Sequence, residues 1–150
     1  MIRRMLEADL SDVSELERQY FSMPWSEKQL RESLENPDYL FLVLELEGKI
    51  AGYAGLVRAG DEGDITNVVL AEECRGRGFG KLLVRTLLEE GKRRGIRDFT
   101  LEVRVSNTPA IHVYEALGFV KEGVRKRFYE KPTEDAWIMW KRDGSSSLFL

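Results

Sequence analysis

The chain has 150 residues, a length that suits one domain with a buried core and is too short for two. Its composition, 43% hydrophobic and 33% charged, is that of a globular domain, and no apolar run approaches the ~20 residues of a membrane-spanning helix. The net charge of −3 argues against general nucleic-acid binding, while a single cysteine and a single histidine exclude an internal disulfide and argue against a zinc site.

The first half of the chain predicts a strand, two helices and an antiparallel hairpin. The opening residues MIRRMLEADL lack a signal-peptide core, which predicts a cytoplasmic protein. Ser11 is positioned to cap the first helix, and Ser26 with Gln29 forms a capping-box pattern at the start of the second. Glu47-Gly48 is typical of a hairpin turn. In order, the predicted elements are a strand at 2–6, helices at 11–20 and 26–35, and strands at 39–46 and 49–58.

The second half predicts strand–helix–strand crossovers followed by a last strand pair. The predicted elements are a strand at 65–70, a helix ending near residue 94, a strand at 98–105, a helix starting at Thr108-Pro109, and strands at 119–130 and 135–141. Together they predict one α/β (α+β) domain over 1–142, with a mixed, mostly antiparallel sheet of about seven strands flanked by about four helices. Residues 143–150 are predicted to form a flexible C-terminal tail.

A glycine-rich loop opens the third predicted helix and is the strongest local signal of ligand binding. Gly76, Gly78 and Gly80 alternate with other residues, mostly basic, between a strand and a helix. A helix N-terminus offers about four unpaired N–H groups and the positive end of the helix dipole, and glycines let a bound anion approach the backbone. This predicts a phosphate-binding loop, with a plain turn that carries a basic rim as the alternative.

Two familiar phosphate-binding patterns do not fit this loop. An ATP-binding P-loop needs a serine or threonine after its lysine, whereas Gly80-Lys81 is followed by Leu82. The dinucleotide-binding pattern follows the first strand of a parallel sheet, whereas three predicted strands precede the strand that leads into this loop. The sequence therefore argues against both ATP and NAD as ligands.

The loop instead fills the pattern Arg/Gln-x-x-Gly-x-Gly/Ala with Arg75, Gly78 and Gly80, and in this it resembles the GNAT acyltransferases, which hold the pyrophosphate of acetyl-CoA on such a loop. The order of the predicted elements extends the resemblance over nearly the whole chain and implies the GNAT fold. The block LEVRVSNTPAIHVYEALGF is its most specific part. Within the family, PWS, YEALGF and FYEKPTEDAWIM resemble the RimI subfamily of ribosomal-protein N-terminal acetyltransferases. Phe128-Tyr129 departs from the two tyrosines that are frequent there.

Glu102 and Tyr114 are the predicted catalytic residues. Acetyl transfer from a thioester to an amine needs a base for the amine proton and an acid for the leaving thiolate. Glu102 lies on the polar face of an alternating strand, so its other interpretation is a carboxylate paired with Arg104 or a neighbour. The other interpretation of Tyr114 is a core residue packed on Leu117. The resemblance places a catalytic glutamate, acting directly or through water, and a tyrosine near the CoA sulfur at these two positions.

The resemblance also implies a site for acetyl-CoA, with no metal ion. The implied acetyl-CoA-binding residues are Val68, Val69, Arg75, Gly76, Arg77, Gly78, Phe79, Gly80, Lys81, Asn107 and Tyr114. Strand four can offer its backbone to the pantetheine only if it splays away from strand five or bulges beside it. The implied peptide-binding residues are Met23, Trp25 and Tyr129. The alternative roles are a turn or secondary cap for Asn107 and a hydrophobic staple with Leu30 for Trp25.

The resulting prediction is an acetyl-CoA-dependent N-terminal acetyltransferase that works by direct attack on the thioester. The resemblance implies the N-terminal alanine of a small-subunit ribosomal protein as its substrate. One alternative is a GNAT enzyme that acetylates lysine side chains or a small-molecule amine, and another is a CoA-binding module without catalysis. The expected partner is a protein N-terminal peptide, with neither nucleic acid nor membrane as a direct partner, and the expected oligomeric state is a monomer or a weak dimer.

Overall fold

The computed structural model describes residues 1–143, so residues 144–150 of the predicted tail lie outside the described residues. Each predicted strand and helix is present. The elements are β1 Ile2–Arg4, α1 Leu10–Tyr20, α2 Glu27–Glu35, β2 Tyr39–Leu46, β3 Lys49–Ala59, β4 Glu62–Leu70, α3 Phe79–Arg93, β5 Asp98–Arg104, α4 Thr108–Ala116, β6 Val120–Tyr129 and β7 Glu134–Lys141. No helix within residues 1–143 is long and apolar enough to cross a lipid bilayer.

The strands form one seven-stranded sheet in the order β1-β2-β3-β4-β5-β7-β6. Every neighbouring pair is antiparallel except β4 and β5, which are parallel. The crossover between these two strands is α3, the element that parallel neighbours need. The prediction of a mixed, mostly antiparallel sheet of seven strands with four helices is therefore confirmed.

Helices cover the two faces of the sheet and divide the core in two. Helices α3 and α4 pack on one face, where Leu83, Leu87 and Phe99 are fully buried. Helices α1 and α2 pack on the other face over β2–β4, where Leu30 and Tyr53 are fully buried. Truncating a buried side chain of this size costs about 2–5 kcal/mol of the free energy of unfolding. Both layers hold the β4–β5 region in a fixed position.

The starts of α1 and α2 test two predicted caps. Ser26 Oγ accepts a hydrogen bond from the Gln29 N–H at 3.1 Å, and Gln29 Oε1 accepts one from the Ser26 N–H at 2.8 Å, so the predicted capping box is confirmed. The prediction that Ser11 caps α1 is wrong. A 3-10 turn over Glu7–Asp9 leads directly into the helix at Leu10, and Asp9 is the cap residue. Because the turn leads into the helix at Leu10, the helix begins before Ser11.

Candidate active site

Strands β4 and β5 pair over only three residues before they diverge. Glu62, Gly63 and Asp64 lie opposite Asp98–Thr100, and beyond these pairs β4 pairs with β3 alone. The splay that a pantetheine site on strand four requires is therefore present. Over residues 65–70, the β4 backbone groups that face β5 have no partner strand. Such groups suit the amides of an extended ligand that completes the sheet.

A bulge in β4 accompanies the splay. Gly55 lies opposite Asn67 and Leu56 lies opposite Ile65, so Thr66 is an extra residue. The bulge reverses the alternation of side chains. Ile65 packs in the α3 core, whereas Asn67 is buried against the α1 layer. Next to the bulge, the Phe41 side chain on β2 lies close to the Gly55 backbone on β3. A Cβ on Gly55 would lie only 2.4 Å from Cδ1 of Phe41, so the position requires glycine.

The glycine loop ends in a helix start that has no side-chain cap. Gly76 and Gly78 have φ angles of 75° and 84°, in the left-handed region that favours glycine, and Gly78 is the residue before α3. The first N–H groups of α3 therefore point outward without a serine or aspartate to receive them. Arg75 has a structural contact here, since its Nε donates to the Leu70 carbonyl at 3.1 Å. Uncapped N–H groups and nearby basic side chains fit a pyrophosphate.

A cleft of about 650 Å³ passes through the opening between β4 and β5 and has walls on both faces of the sheet. The predicted site residues that line it are Met23, Trp25, Val68, Glu102, Asn107, Tyr114 and Tyr129. The glycine loop and Val69 do not line this cleft, and the Val69 side chain is buried in the α1 layer. Among residues 1–143 no group of acidic, histidine and cysteine side chains could hold a metal ion.

Glu102 points into the cleft from β5 and is held by an arginine two strands away. Its Oε2 accepts a hydrogen bond from Arg125 Nε at 3.0 Å, and its side chain is 19% exposed. The alternative partner considered from the sequence, Arg104, instead pairs with Glu134 at 3.2 Å. Glu102 thus has one fixed carboxylate oxygen on a rigid strand, with the other side of the carboxylate available to the cleft.

The Tyr114 hydroxyl is a proton donor without a competing acceptor. The side chain is 8% exposed and packs edge-on against Phe119, so it also has the core role considered above. Burial raises its pKa above the ordinary value of 10.0, which keeps the phenol protonated. Among residues 1–143 the hydroxyl has no hydrogen-bond partner, although it borders the cleft. The group can therefore donate to a ligand.

Asn107 and Tyr129 each have a structural contact besides their place in the cleft. Asn107 Oδ1 accepts a hydrogen bond from the Ala110 N–H at 3.3 Å, so Asn107 is the N-cap of α4. The predicted helix start at Thr108-Pro109 is correct, while the cap lies one residue earlier. Tyr129 donates from its hydroxyl to the Glu102 carbonyl at 3.1 Å, and burial with the nearby Glu102 charge raises its pKa to about 12. Both residues brace β5 and the segment after it.

The segment between α1 and α2 forms an apolar rim on the α1 side of the cleft. Phe21 and Met23 are exposed, at 41% and 59%, and Phe128 on β6 is exposed at 46%. Trp25 contacts Tyr39 edge-on and is half-buried, consistent with its alternative structural role. An apolar rim next to Glu102 suits the first side chains of a peptide.

Sequence reasoning missed two carboxylates near the cleft, Glu17 and Asp64. Glu17 is buried with 1% exposure among α1, β3 and β4. Asp64 lies opposite Thr100 of β5. Glu102 is two residues after Thr100, on the same face of the sheet. The broken alternation in ITNVVL, apolar at position 65 and then at 68, 69 and 70, was a signal of the bulge beside them. Nothing local in the sequence indicates that Glu17 is buried, because it occupies an ordinary position in a helix.

Asp64 carries the single buried side-chain polar atom, Oδ1, that has no hydrogen-bond partner among residues 1–143. Burial, followed by the Glu102 charge, raises its pKa from 3.8 to about 6. The folded protein holds this proton more tightly than the unfolded chain, so the free energy of unfolding falls as pH rises from about 4 to about 6. We expect Asp64→Asn to raise the free energy of unfolding by about 1–2 kcal/mol at pH 7.5 and by much less at pH 4. Urea denaturation at both pH values measures this, and an equal effect at the two would contradict the account.

Comparison with known proteins identifies the fold. The family model described as the acetyltransferase (GNAT) family matches residues 10–119. The chain belongs to the GNAT acetyltransferases. A crystal structure of the ribosomal-protein-S18-alanine N-acetyltransferase from Escherichia coli has a TM-score of 0.87 with this GNAT chain, at 32% identity, and covers 95% of this chain and 92% of that one. The resemblance inferred from the glycine loop is therefore confirmed.

Relatives extend the match to the RimI subfamily of the GNAT acetyltransferases. The chain is 40% identical over 140 residues, 93% of each chain, to a Bacillus subtilis protein named provisionally as a ribosomal protein bS18-alanine N-acetyltransferase. It is 36% identical over 135 residues to the bS18-alanine N-acetyltransferase of Escherichia coli K12, covering 87% of this chain and 89% of that one. It is 32% identical over 152 residues to the N-alpha-acetyltransferase RimI of Mycobacterium tuberculosis, with 97% and 94% covered.

GNAT acetyltransferases use acetyl-CoA, and two features of this chain fit that co-substrate. The first turn of α3 presents unpaired N–H groups behind two glycines in the left-handed conformation. The β4 backbone is without a strand partner where it borders the cleft. Together they offer donors for a pyrophosphate at one end and for an amide-containing arm at the other.

Proposed function

We propose that the chain transfers the acetyl group of acetyl-CoA to the α-amine of a protein N-terminus, and that its substrate is the N-terminal alanine of a ribosomal protein. The observation that carries this proposal is the cleft through the opening of β4 and β5, which has Glu102 and Tyr114 on its walls. The names of the relatives support the choice of substrate.

Acetyl-CoA binds from the side of α3 and α4. The N–H groups of residues 76–81 hold the pyrophosphate, with Arg75, Arg77 and Lys81 as counter-charges, and Phe79 begins the helix that supplies the dipole. The pantetheine arm lies along the unpaired backbone at Val68 and Val69. Asn107 Nδ2 is available to that arm, because the cap of α4 uses only Oδ1.

The peptide enters from the side of α1 and β6, where Met23, Trp25 and Tyr129 line the cleft. The neutral α-amine attacks the thioester carbon, and Glu102 accepts, directly or through one water, the proton that the nitrogen loses as the carbon–nitrogen bond forms. Tyr114 donates its hydroxyl proton to the sulfur as the carbon–sulfur bond breaks, and regains a proton from solvent afterwards. The two residues thus act on opposite sides of the reacting carbon.

An α-amine suits this arrangement better than a lysine does. A peptide α-amine has a pKa of ~8, so about a tenth of it is neutral at pH 7. A lysine with a pKa of ~10.4 starts ~2.4 units further away, which adds about 3 kcal/mol to the cost of forming the neutral nucleophile. The Glu102 carboxylate on β5 is therefore a sufficient base for an α-amine.

A peptide series tests the choice of substrate. We expect the highest kcat/KM for peptides that begin with the N-terminal residues of a ribosomal protein with alanine first, compared with peptides of equal length in which only the first residue differs. Acetylation is followed by mass spectrometry with saturating acetyl-CoA. Equal kcat/KM for all first residues would contradict the assignment of alanine, and activity on small amines alone would contradict a peptide substrate.

Tyr114→Phe tests the proton donor. We expect kcat to fall about 10- to 100-fold, because the thiolate must leave without a proton, while the Kd of acetyl-CoA stays within twofold. Tyr39→Phe is the matched control, since Tyr39 is a half-buried tyrosine that does not line the cleft. Steady-state kinetics and calorimetry measure the two quantities. A kcat equal to that of the unmodified chain would remove Tyr114 as the acid.

A further inference from the structure

Glu17 is a buried carboxylate without a cationic partner. Its residue exposure is 1%, and it forms no ion pair among residues 1–143. Removing a charge from water costs several kcal/mol even after the protein relaxes, and replacing such a group with an apolar side chain is often neutral or stabilising. Packing alone therefore does not account for a glutamate at this position of α1.

The hydrogen-bond donors to Glu17 come from three separate elements. The Trp25 N–H in the segment after α1 donates to Oε1 at 2.8 Å. The Tyr53 hydroxyl on β3 donates to Oε2. Asn67 Nδ2, next to the β4 bulge, lies 3.4 Å from Oε2 and 2.9 Å from the Tyr53 hydroxyl oxygen. One carboxylate thus joins the apolar rim of the cleft to the bulge at which β4 leaves β5.

The chemistry of these neighbours requires an acceptor at both oxygens. Trp25 offers an N–H, Tyr53 an O–H and Asn67 an NH₂ group, and burial together with Glu17 raises the pKa of Tyr53, which keeps it a donor. A glutamine has nearly the same volume but turns an NH₂ group toward one side. With the NH₂ group toward Trp25, the Trp25 N–H loses its acceptor; with the NH₂ group toward β3, the Tyr53 hydroxyl must turn from donor to acceptor and Asn67 Nδ2 faces a second NH₂ group.

We propose that Glu17 is a positioning residue that fixes the peptide-binding segment, residues 21–25, relative to the β4 bulge, beyond which the pantetheine arm lies. The proposal rests on the proposed function, which assigns Met23 and Trp25 to the peptide and the unpaired β4 backbone beyond the bulge to the pantetheine arm. Glu17 borders the cleft, but both of its carboxylate oxygens already accept from protein donors, so it acts through Trp25 and Tyr53 and not on the reacting atoms. It sets the distance between the two halves of the site, so its loss weakens peptide binding and leaves acetyl-CoA binding intact.

Glu17→Gln tests this with one readout that does not depend on activity. We expect hydrogen exchange at the Trp25 amide to speed up about tenfold or more, because its acceptor becomes an NH₂ group in one orientation of the glutamine and a weaker, neutral amide oxygen in the other. Glu15→Gln is the matched control, a change on the same helix at a side chain that is 64% exposed. Unchanged exchange at Trp25 would overturn the proposal whatever the protein acetylates.

The kinetic readout separates positioning from a merely structural role. We expect Glu17→Gln to raise the peptide KM about 5- to 20-fold while the Kd of acetyl-CoA stays within twofold. Loss of folded protein would instead lower kcat with both constants unchanged, and that result would overturn the proposal. If the unmodified chain acetylates no α-amine, the proposed function fails. The hydrogen-exchange measurement still tests whether Glu17 holds the Trp25 N–H.

Tyr53→Phe provides a second route if Glu17→Gln does not fold. It removes the link at the bulge end and leaves the Trp25 contact in place. Because a link broken at either end loses the same constraint, we expect a similar rise in the peptide KM, and no further rise in the double variant. An unchanged peptide KM in Tyr53→Phe, or effects that multiply in the double variant, would contradict the linkage.

Discussion

Replacing Glu102 with glutamine is expected to lower kcat for peptide acetylation by about 10²- to 10³-fold, the contribution of a positioned general base. Glutamine keeps the size and the β5 position of the side chain but cannot take the amine proton. The proposed acetyl-CoA site is formed by β4 and the start of α3, so the Kd of acetyl-CoA is expected to change less than twofold. Rapid-quench or steady-state kinetics with saturating peptide, together with calorimetry, measures both quantities.

Glu122→Gln is the control for this experiment. Glu122 on β6 also pairs with an arginine, Arg142 at 2.7 Å, but does not line the cleft. Both variants therefore break a carboxylate–guanidinium pair, and only one of them removes the proposed base. A kcat for Glu102→Gln within fivefold of the control would contradict the role of Glu102.

Gly78→Val is expected to raise the Kd of acetyl-CoA about 10- to 100-fold. Gly78 has a φ of 84°, a conformation that costs a non-glycine residue about 1–2 kcal/mol and a β-branched residue more. No atom lies within 4 Å of a Cβ built there, so the change does not disturb packing. The strain is relieved by a shift of the first turn of α3, which moves the N–H groups away from the pyrophosphate.

Gly48→Val is a matched control for the strain itself. Gly48 has a φ of 77° in the hairpin turn between β2 and β3, and a Cβ there likewise meets no atom within 4 Å. We expect similar losses of stability in thermal unfolding and an unchanged Kd of acetyl-CoA for this variant. A Kd for Gly78→Val equal to that of Gly48→Val would mean that the loop does not hold the co-substrate.

Much of the fold follows from local patterns in the sequence. The hairpin at Glu47-Gly48 is confirmed by φ angles of 51° and 77°, and Gly95 ends α3 with a φ of 89°. Such features depend on neighbouring residues alone, so a single sequence carries them. The start of α1 was missed because the 3-10 turn before it is stabilised by the Asp9 carboxylate, which pairs with Arg3 and accepts from the Leu6 N–H, both at 2.8 Å, and the spacing of apolar residues does not indicate these contacts.

Site residues that belong to a sequence motif could be predicted, whereas those whose role depends on tertiary contacts could not. Glu102 and Tyr114 were found from the strand, helix and resemblance, and both border the cleft. The partner of Glu102 was not found, because Arg125 reaches it from two strands away across β7. Glu17 is buried by the packing of α1, and Asp64 is partly buried where β4 pairs with β5 before the two strands splay. The local spacing of apolar and polar residues predicts neither.

The most direct test of the account uses one peptide with a free N-terminal alanine and one internal lysine. After incubation with acetyl-CoA, tandem mass spectrometry locates the acetyl group. The account predicts one acetyl group on the α-amine, none on the lysine, and no reaction when the α-amine is blocked beforehand. An acetyl group on the lysine of either peptide, with the α-amine of the unblocked peptide left unmodified, would contradict N-terminal acetylation.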